Sequence, residues 1–261
     1  MERSPDFLHG TSSLAAIGIW LDGFRLMPVH TRFWGRGALG HGIYLTRSLE
    51  WAIEFTRDFA NTGSGVVVRV ELGPGSRLLW LDGNFDPNTI ESLRREFGAE
   101  VLRPDFHKAI PANKHLRTRE LIDLLNYLHA RKSGAGFLWK VGWAGVSGVR
   151  SQLRRAKYSG FGCATDDLGI VAFDPANLVA RSFERVTSSG ALEPAQPEWL
   201  LANSVLRLRE LRSDVDEIMR DPNFEGFSAA EISEVRRELR AALAQVERFA
   251  GRYGLELPEL G

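Results

Sequence analysis

Between Phe7 and Phe55 the chain passes twice from a short apolar strand into a helix, and this order constrains the fold more than any other feature. Phe7-Leu8 leads into His9-Gly10-Thr11. Thr11, Ser12 and Ser13 then offer hydroxyl caps for a helix over residues 14–21, which Gly23 ends. Residues 26–39 contain Pro28, Gly35 and Gly37 and no clear period, so a loop is expected there. After Gly40-His41-Gly42 a second strand is expected around Ile43-Tyr44-Leu45, and Ser48 caps a second helix. In that helix Leu49, Ala52, Ile53, Thr56, Phe59 and Ala60 recur at helical spacing and should face a sheet. Trp51 and Phe55 lie one turn apart beside this stripe, so both can look into one pocket.

Val66, Val68, Val70 and Leu72 alternate with Val67, Arg69 and Glu71, the period of a half-buried strand. Gly73-Pro74-Gly75 ends it, and a second short strand is expected over 78–81. Residues 82–117 hold a helix near 87–97 and a basic segment with Arg103, His107, Lys108, Lys114, His115 and Arg117. Thr118 caps a helix with Leu121, Leu124, Leu125 and Leu128 on one face. His107, His115 and His129 lack metal-ligand spacing and neighbouring carboxylate or cysteine motifs, so no metal site is expected. A short strand at 137–141 and a basic helix over 151–158 lead to an aromatic-glycine turn, Tyr158-Ser159-Gly160-Phe161-Gly162. A strand then ends in Phe173-Asp174-Pro175.

Taken together, these pieces resemble the ADP-ribosyltransferase superfamily, in its poly(ADP-ribose) polymerase or diphtheria-toxin branch. The likeness rests on an apolar strand into His9-Gly10-Thr11, a helical patch closing on Ile19-Trp20-Leu21-Asp22-Gly23, and the run Gly23-Phe24-Arg25-Leu26-Met27-Pro28. It continues with Gly40-x-Gly42-Ile43-Tyr44, with Phe55 eleven residues after Tyr44, and with the strand ending Phe173-Asp174-Pro175. The resemblance implies an α+β, ADP-ribosyltransferase-like split β-sandwich with flanking helices. It implies NAD as a substrate, cleaved at the nicotinamide–ribose bond, with ADP-ribose passed to a macromolecular acceptor, protein or nucleic acid. A toxin-like role fits the same branch.

Cleavage of that bond builds positive charge on the ribose, so the site must hold the nicotinamide flat, fix the ribose hydroxyls and supply a negative group. By resemblance, His9 bonds an adenosine ribose hydroxyl and Gly10 offers main-chain groups to the carboxamide, with Thr11 alongside. Tyr44 stacks on the nicotinamide and Phe55 closes its other side. Arg25 lies near the adenosine or pyrophosphate. Two positions depart from the family pattern. Ala52 stands where many members carry a Ser that bonds the nicotinamide amide, and Gly169 stands at the usual Glu position. Asp167, two residues earlier and of the same strand parity, is the carboxylate expected to take the Glu's role. The catalytic set is thus His9, Tyr44 and Asp167. Two alternatives stand beside transfer: NAD hydrolysis, with water as acceptor, and a catalytically silent NAD- or ADP-ribose-binding module.

Beyond the catalytic part, expected over residues 1–187, Thr187-Ser188-Ser189-Gly190 with Pro194 and Pro197 marks a linker. Leu201, Val205, Leu208, Leu211, Val215 and Ile218 then form one amphipathic stripe, broken at Asp221-Pro222-Asn223. Ser228-Ala229-Ala230-Glu231 is a capping box opening a second stripe of Ile232, Val235, Leu239, Leu243, Val246 and Phe249. A helical hairpin over 198–253 is expected, which must cover its apolar side on the main domain, a twin or a protein partner. From Glu193 onward nine arginines face fourteen acidic residues, whereas the first 192 residues carry twenty-four basic against nineteen acidic side chains. A mildly basic catalytic part is thus joined to an acidic appendage. A single cysteine, Cys163, excludes an intramolecular disulfide and fits a reducing, cytoplasmic setting. The polar start Met1-Glu2-Arg3-Ser4-Pro5-Asp6 gives no expectation of a secretory signal, and no stretch has the length of a membrane span.

Overall fold

The computed structural model describes residues 7–26, 42–60, 65–80, 158–162, 170–220 and 229–258. Over these residues the chain is mixed α+β, with two four-stranded sheets and four α-helices. The elements are β1 (Phe7–Ser12), α1 (Ser13–Asp22), β2 (Ile43–Leu45), α2 (Leu49–Ala60), β3 (Gly65–Leu72) and β4 (Leu78–Trp80). After them come β5 (Gly160–Gly162), β6 (Ile170–Ala172), a 3-10 turn (Pro175–Asn177), β7 (Leu178–Val186), β8 (Leu192–Pro194), α3 (Pro197–Arg220) and α4 (Ala229–Tyr253). The expected helices near 87–97 and after Thr118, the helix over 151–158 except Tyr158, the strand at 137–141 and most of the loop over 26–39 lie outside the described residues. Contacts divide the chain into two compact units: Met1–Phe24 with Leu49–Glu71 and Val179–Gly261, and Arg25–Ser48 with Leu72–Leu178.

The first unit is built on the sheet β1-β3-β7-β8. β1 and β3 pair antiparallel from Phe7 opposite Val70 to Ser12 opposite Gly65. Because strand side chains alternate, Leu8, Gly10 and Val67 look to one face and Phe7, His9, Thr11, Val66, Val68 and Val70 to the other. Both faces are covered. On the first, Leu8 and Val67 form a core cluster with Ala52 of α2, joined by Ile53, Val186 and Leu192. On the second, Phe7, Val66, Val68 and Val70 are almost wholly buried, each contributing about 1.5–3 kcal/mol relative to exposure. The half-buried alternation expected for β3 therefore holds only at its far end, where Arg69 and Glu71 are partly exposed. There they pair with Glu184 and Arg181 of β7.

α1 begins where the sequence places it. Ser12 caps it, its Oγ accepting from the Ala15 amide at 3.2 Å. Gly23 ends it at φ 75°, a left-handed conformation that side chains disfavour, and its N–H donates to the Ile19 carbonyl at 2.9 Å. α2 carries its expected stripe in part: Ala52 and Thr56 are fully buried, whereas Leu49 is 43% exposed.

Residues 187–190, expected as a linker, instead form the turn of a β-hairpin. Thr187 and Ala191 close it, the Thr187 amide donating to the Ala191 carbonyl at 2.9 Å. β7 and β8 then pair antiparallel, with Arg185 opposite Glu193. The turn needs the positive φ of 80° at Gly190.

α3 and α4 pack on each other and on α1. Leu201, Val205 and Leu208 are buried as expected, together with Leu200 and Ser204, and so are Val246 and Phe249. Leu211, Val215, Ile232, Val235, Leu239 and Leu243 are half-buried, so the densest packing lies at the start of α3 and the end of α4. The hairpin expected as an appendage thus covers its apolar side on α1, within the same unit as β1 and β3. No helix among the described residues is long and apolar enough to cross a membrane.

The second unit holds the sheet β2-β6-β5-β4. β2 and β5 flank β6 antiparallel, while β4 runs parallel to β5. Gly160-Phe161-Gly162, expected as a turn, is a strand. A Cβ on Gly160 would lie 2.6 Å from the Val171 carbonyl oxygen, so only glycine fits this gap. After β6, Phe173 is buried and Pro175 starts the 3-10 turn. The Asn177 amide nitrogen Nδ2 donates to Asp174 Oδ2 at 2.9 Å and to Ser159 Oγ at 3.2 Å, tying that turn to the start of β5.

Candidate functional site

In the first unit β1 is an edge strand of its sheet as described. An edge strand keeps every other N–H and C=O out of the ladder, which suits main-chain recognition of a ligand amide. The candidate residues His9, Gly10 and Thr11 follow one another on this strand. His9 is half-buried and meets Phe24 edge-on, ring centroids 5.5 Å apart at 80°. Phe24 is itself buried, and the Gly23 cap turns the chain into it. Thr11 is buried at the end of the strand.

Gly10 faces the opposite way. A Cβ there would stand 2.1 Å from the Ala52 carbonyl oxygen and 3.0 Å from Phe55 Cβ. α2 therefore rests on the Gly10 backbone, and Phe55 starts beside it. The Phe55 ring is 47% exposed and leans towards Trp51, 6.1 Å between centroids. Ala52, at the family's Ser position, is fully buried in the core with Leu8 and Val67. Its side chain fills space under the strand.

Arg25 follows Phe24 and is exposed. Tyr44 belongs to the second unit, half-buried in β2 opposite Val171. The Gly42 before it has a packing reason: a Cβ would fall 2.2 Å from Val171 Cγ1 and 2.9 Å from the Ala172 carbonyl oxygen. The structure thus brings His9, Gly10, Thr11 and Phe55 into one unit and puts Tyr44 in the other. Asp167 and Gly169 lie outside the described residues, as does Cys163. Among the described residues, no group of three or more His, Cys, Asp or Glu side chains is arranged to hold a metal.

Six acidic side chains of the first unit are held by arginine. Asp22, Glu71, Glu184, Glu193, Glu210 and Glu234 pair with Arg248, Arg181, Arg69, Arg185, Arg207 and Arg237 in turn. A carboxylate so engaged on the surface is poorly suited to meet a developing cation.

A cleft of about 650 Å³ opens in the first unit, lined by Ile53 and Thr56 of α2, Arg185 to Gly190, Glu193 and Trp199. Arg185 Nε donates to Glu193 at 2.9 Å, and its guanidinium lies 5.9 Å from the Trp199 ring centre. None of the candidate NAD residues lines this cleft. Its hydroxyl-bearing turn was hidden in the sequence because Thr187-Ser188-Ser189-Gly190 also has the composition of a linker. The signal for a hairpin is the Ser-Ser-Gly turn between Val186 and Leu192.

Comparison of the chain with protein-family models, curated proteins and solved structures finds no match.

Proposed function

We propose that this chain is an NAD-dependent ADP-ribosyltransferase, with the split β-sandwich of that superfamily, releasing nicotinamide as it passes ADP-ribose to a macromolecule. The observation that carries this reading is the setting of His9-Gly10-Thr11 on an edge strand, with His9 braced by Phe24 and Phe55 rooted beside Gly10. Main-chain groups of such a strand suit the two-sided hydrogen bonding of a carboxamide, and an exposed aromatic beside it suits a flat ring.

In this reading His9 holds the adenosine ribose, Gly10 the carboxamide, and Arg25 the adenosine or pyrophosphate. Tyr44 and Phe55 stack on the nicotinamide. The C–N bond to nicotinamide breaks with its electron pair leaving on the pyridine nitrogen. The oxocarbenium ion is stabilised by the Asp167 carboxylate and captured by an acceptor nucleophile, which gives up its proton. A protein nucleophile makes this a single transfer, and water makes it hydrolysis.

Gly169, standing where the family keeps its Glu, favours a second reading: an NAD- or ADP-ribose-binding module without turnover. Incubation with NAD, reading both binding and nicotinamide release, separates the cases. Release with ADP-ribose on an acceptor is the expected result. Release without transfer identifies a glycohydrolase, binding without release a silent module, and no binding overturns the NAD reading.

A further inference from the structure

We infer that the end of α4 positions His9, with Arg248 and Tyr253 acting through α1 and Phe24. The consequence for NAD rests on the proposed function, whereas the positioning itself does not. α1 leaves β1 directly after His9-Gly10-Thr11, and its far end returns Phe24 to the His9 ring. The placement of Phe24 therefore depends on where the last turn of α1 is held.

That turn is gripped by one face of α4. Trp20 lies 4.5 Å from the Phe183 ring of β7 and meets Phe249 and Tyr253 edge-on at 5.9 and 6.0 Å. Its indole Nε1 donates to the Tyr253 hydroxyl at 2.6 Å. Two residues on, both Asp22 oxygens accept from Arg248, at 3.2 and 2.8 Å, and Gln245 Nε2 reaches Asp22 at 3.5 Å. One turn back, Gly18 leaves room for the Gln245 side chain, which a Cβ would meet at 3.3 Å. Residues 245, 248, 249 and 253 share a helical face, so α4 meets α1 along a single line.

These polar contacts are mostly solvent-facing, with the Arg248 side chain 54% exposed. Solvent screens such a pair, so it adds little to stability. A bidentate fork and a short indole–phenol bond are directional, however, and fix the orientation of the helix end. The hydrogen bond to Asp22, and then its charge, hold the Arg248 guanidinium pKa above its ordinary value.

The test compares the full chain with the double variant Arg248→Ala, Tyr253→Ala and with the conservative pair Arg248→Lys, Tyr253→Phe. Three quantities are read: the thermal midpoint, the His9 ring signal by NMR, assigned with His9→Gln, and NAD affinity. The expected result is a folded double variant whose His9 signal shifts as Phe24 moves away. Its NAD affinity should fall by about tenfold, the scale of one lost hydrogen bond to a polar ligand group, and the conservative pair should recover most of both. An unchanged His9 signal in the folded double variant overturns the inference and leaves the NAD reading intact. If the unaltered protein binds no NAD, that reading falls, and the His9 signal still decides the positioning. A double variant that does not fold passes the same decision to Asp22→Asn, which removes only the charged pair.

Discussion

Gly10 and Ala52 set the distance between β1 and α2: a single methyl group on Gly10 would sit 2.1 Å from the Ala52 carbonyl oxygen. The helix backbone, not a flexible side chain, occupies that space, so the clash cannot relax by a rotamer change. Gly10→Ala should push α2 outward and lower stability by about 1–3 kcal/mol, the usual cost of overpacking. Urea unfolding measures this, and an unchanged midpoint would mean that α2 does not rest on the strand as described.

In the proposed function Tyr44 meets the nicotinamide ring with its aromatic face. Tyr44→Ala should weaken NAD binding by about 1–3 kcal/mol, the scale of a buried aromatic contact, and Tyr44→Phe by much less. Calorimetric titration with NAD distinguishes the two. Equal losses in both folded variants would move the role from the ring to the hydroxyl.

In the proposed function Asp167 is the carboxylate that meets the developing oxocarbenium ion. Asp167→Asn should slow nicotinamide release by about 100-fold or more while leaving NAD affinity nearly unchanged, since the charge is needed mainly in the transition state. Asp166→Asn, at the neighbouring position in the sequence, should have little effect. A fully active Asp167→Asn protein would assign the stabilising charge to another group.

Ser204 is fully buried in α3, and its Oγ has no hydrogen-bond partner among the described residues. Burying an unpaired hydroxyl costs more than a methyl group of similar size, so Ser204→Ala should raise stability by about 1 kcal/mol. Thermal and urea unfolding both report it, and destabilisation would indicate a hydrogen bond at this hydroxyl.

Truncation after Arg185 removes β8, α3 and α4. It uncovers the Trp20 ring, which Phe249 and Tyr253 of α4 meet, and the side of α1 on which both helices pack. The shortened chain should fail to fold or should aggregate, because a large apolar patch would face water. A cooperative unfolding transition in the truncated chain would show that residues up to 185 form a core of their own.

Much of the local structure was legible because it follows from local chemistry. The hydroxyl of Ser12 and the free φ of Gly23 set the two ends of α1. The break expected at Asp221-Pro222-Asn223 and the start expected after Ser228 fall between the end of α3 at Arg220 and the start of α4 at Ala229. β3 was legible from its alternation, though not its burial on both faces, since that needs α2 on one side and a second apolar layer on the other. β7 mixes Arg181, Glu184 and Arg185 with apolar residues and shows no clean period. Its place comes from the hairpin with β8 and from ion pairs to β3, the latter between residues 110 and 115 apart in sequence.

The candidate residues divide in the same way. By itself the sequence determined which residue types lie beside one another on β1, α2 and β2, because strand and helix periods are local. Tertiary structure alone decided that Gly10 and Gly42 are demanded by close backbone approach, that Ala52 is core, and that Phe24 meets His9. It alone also decided that the C-terminal helices cover α1, through Trp20 with Tyr253 and Asp22 with Arg248, pairs 233 and 226 residues apart. The reason is physical: an apolar stripe states that it must be buried, but the partner that buries it is chosen by shape and by contacts that no local pattern encodes.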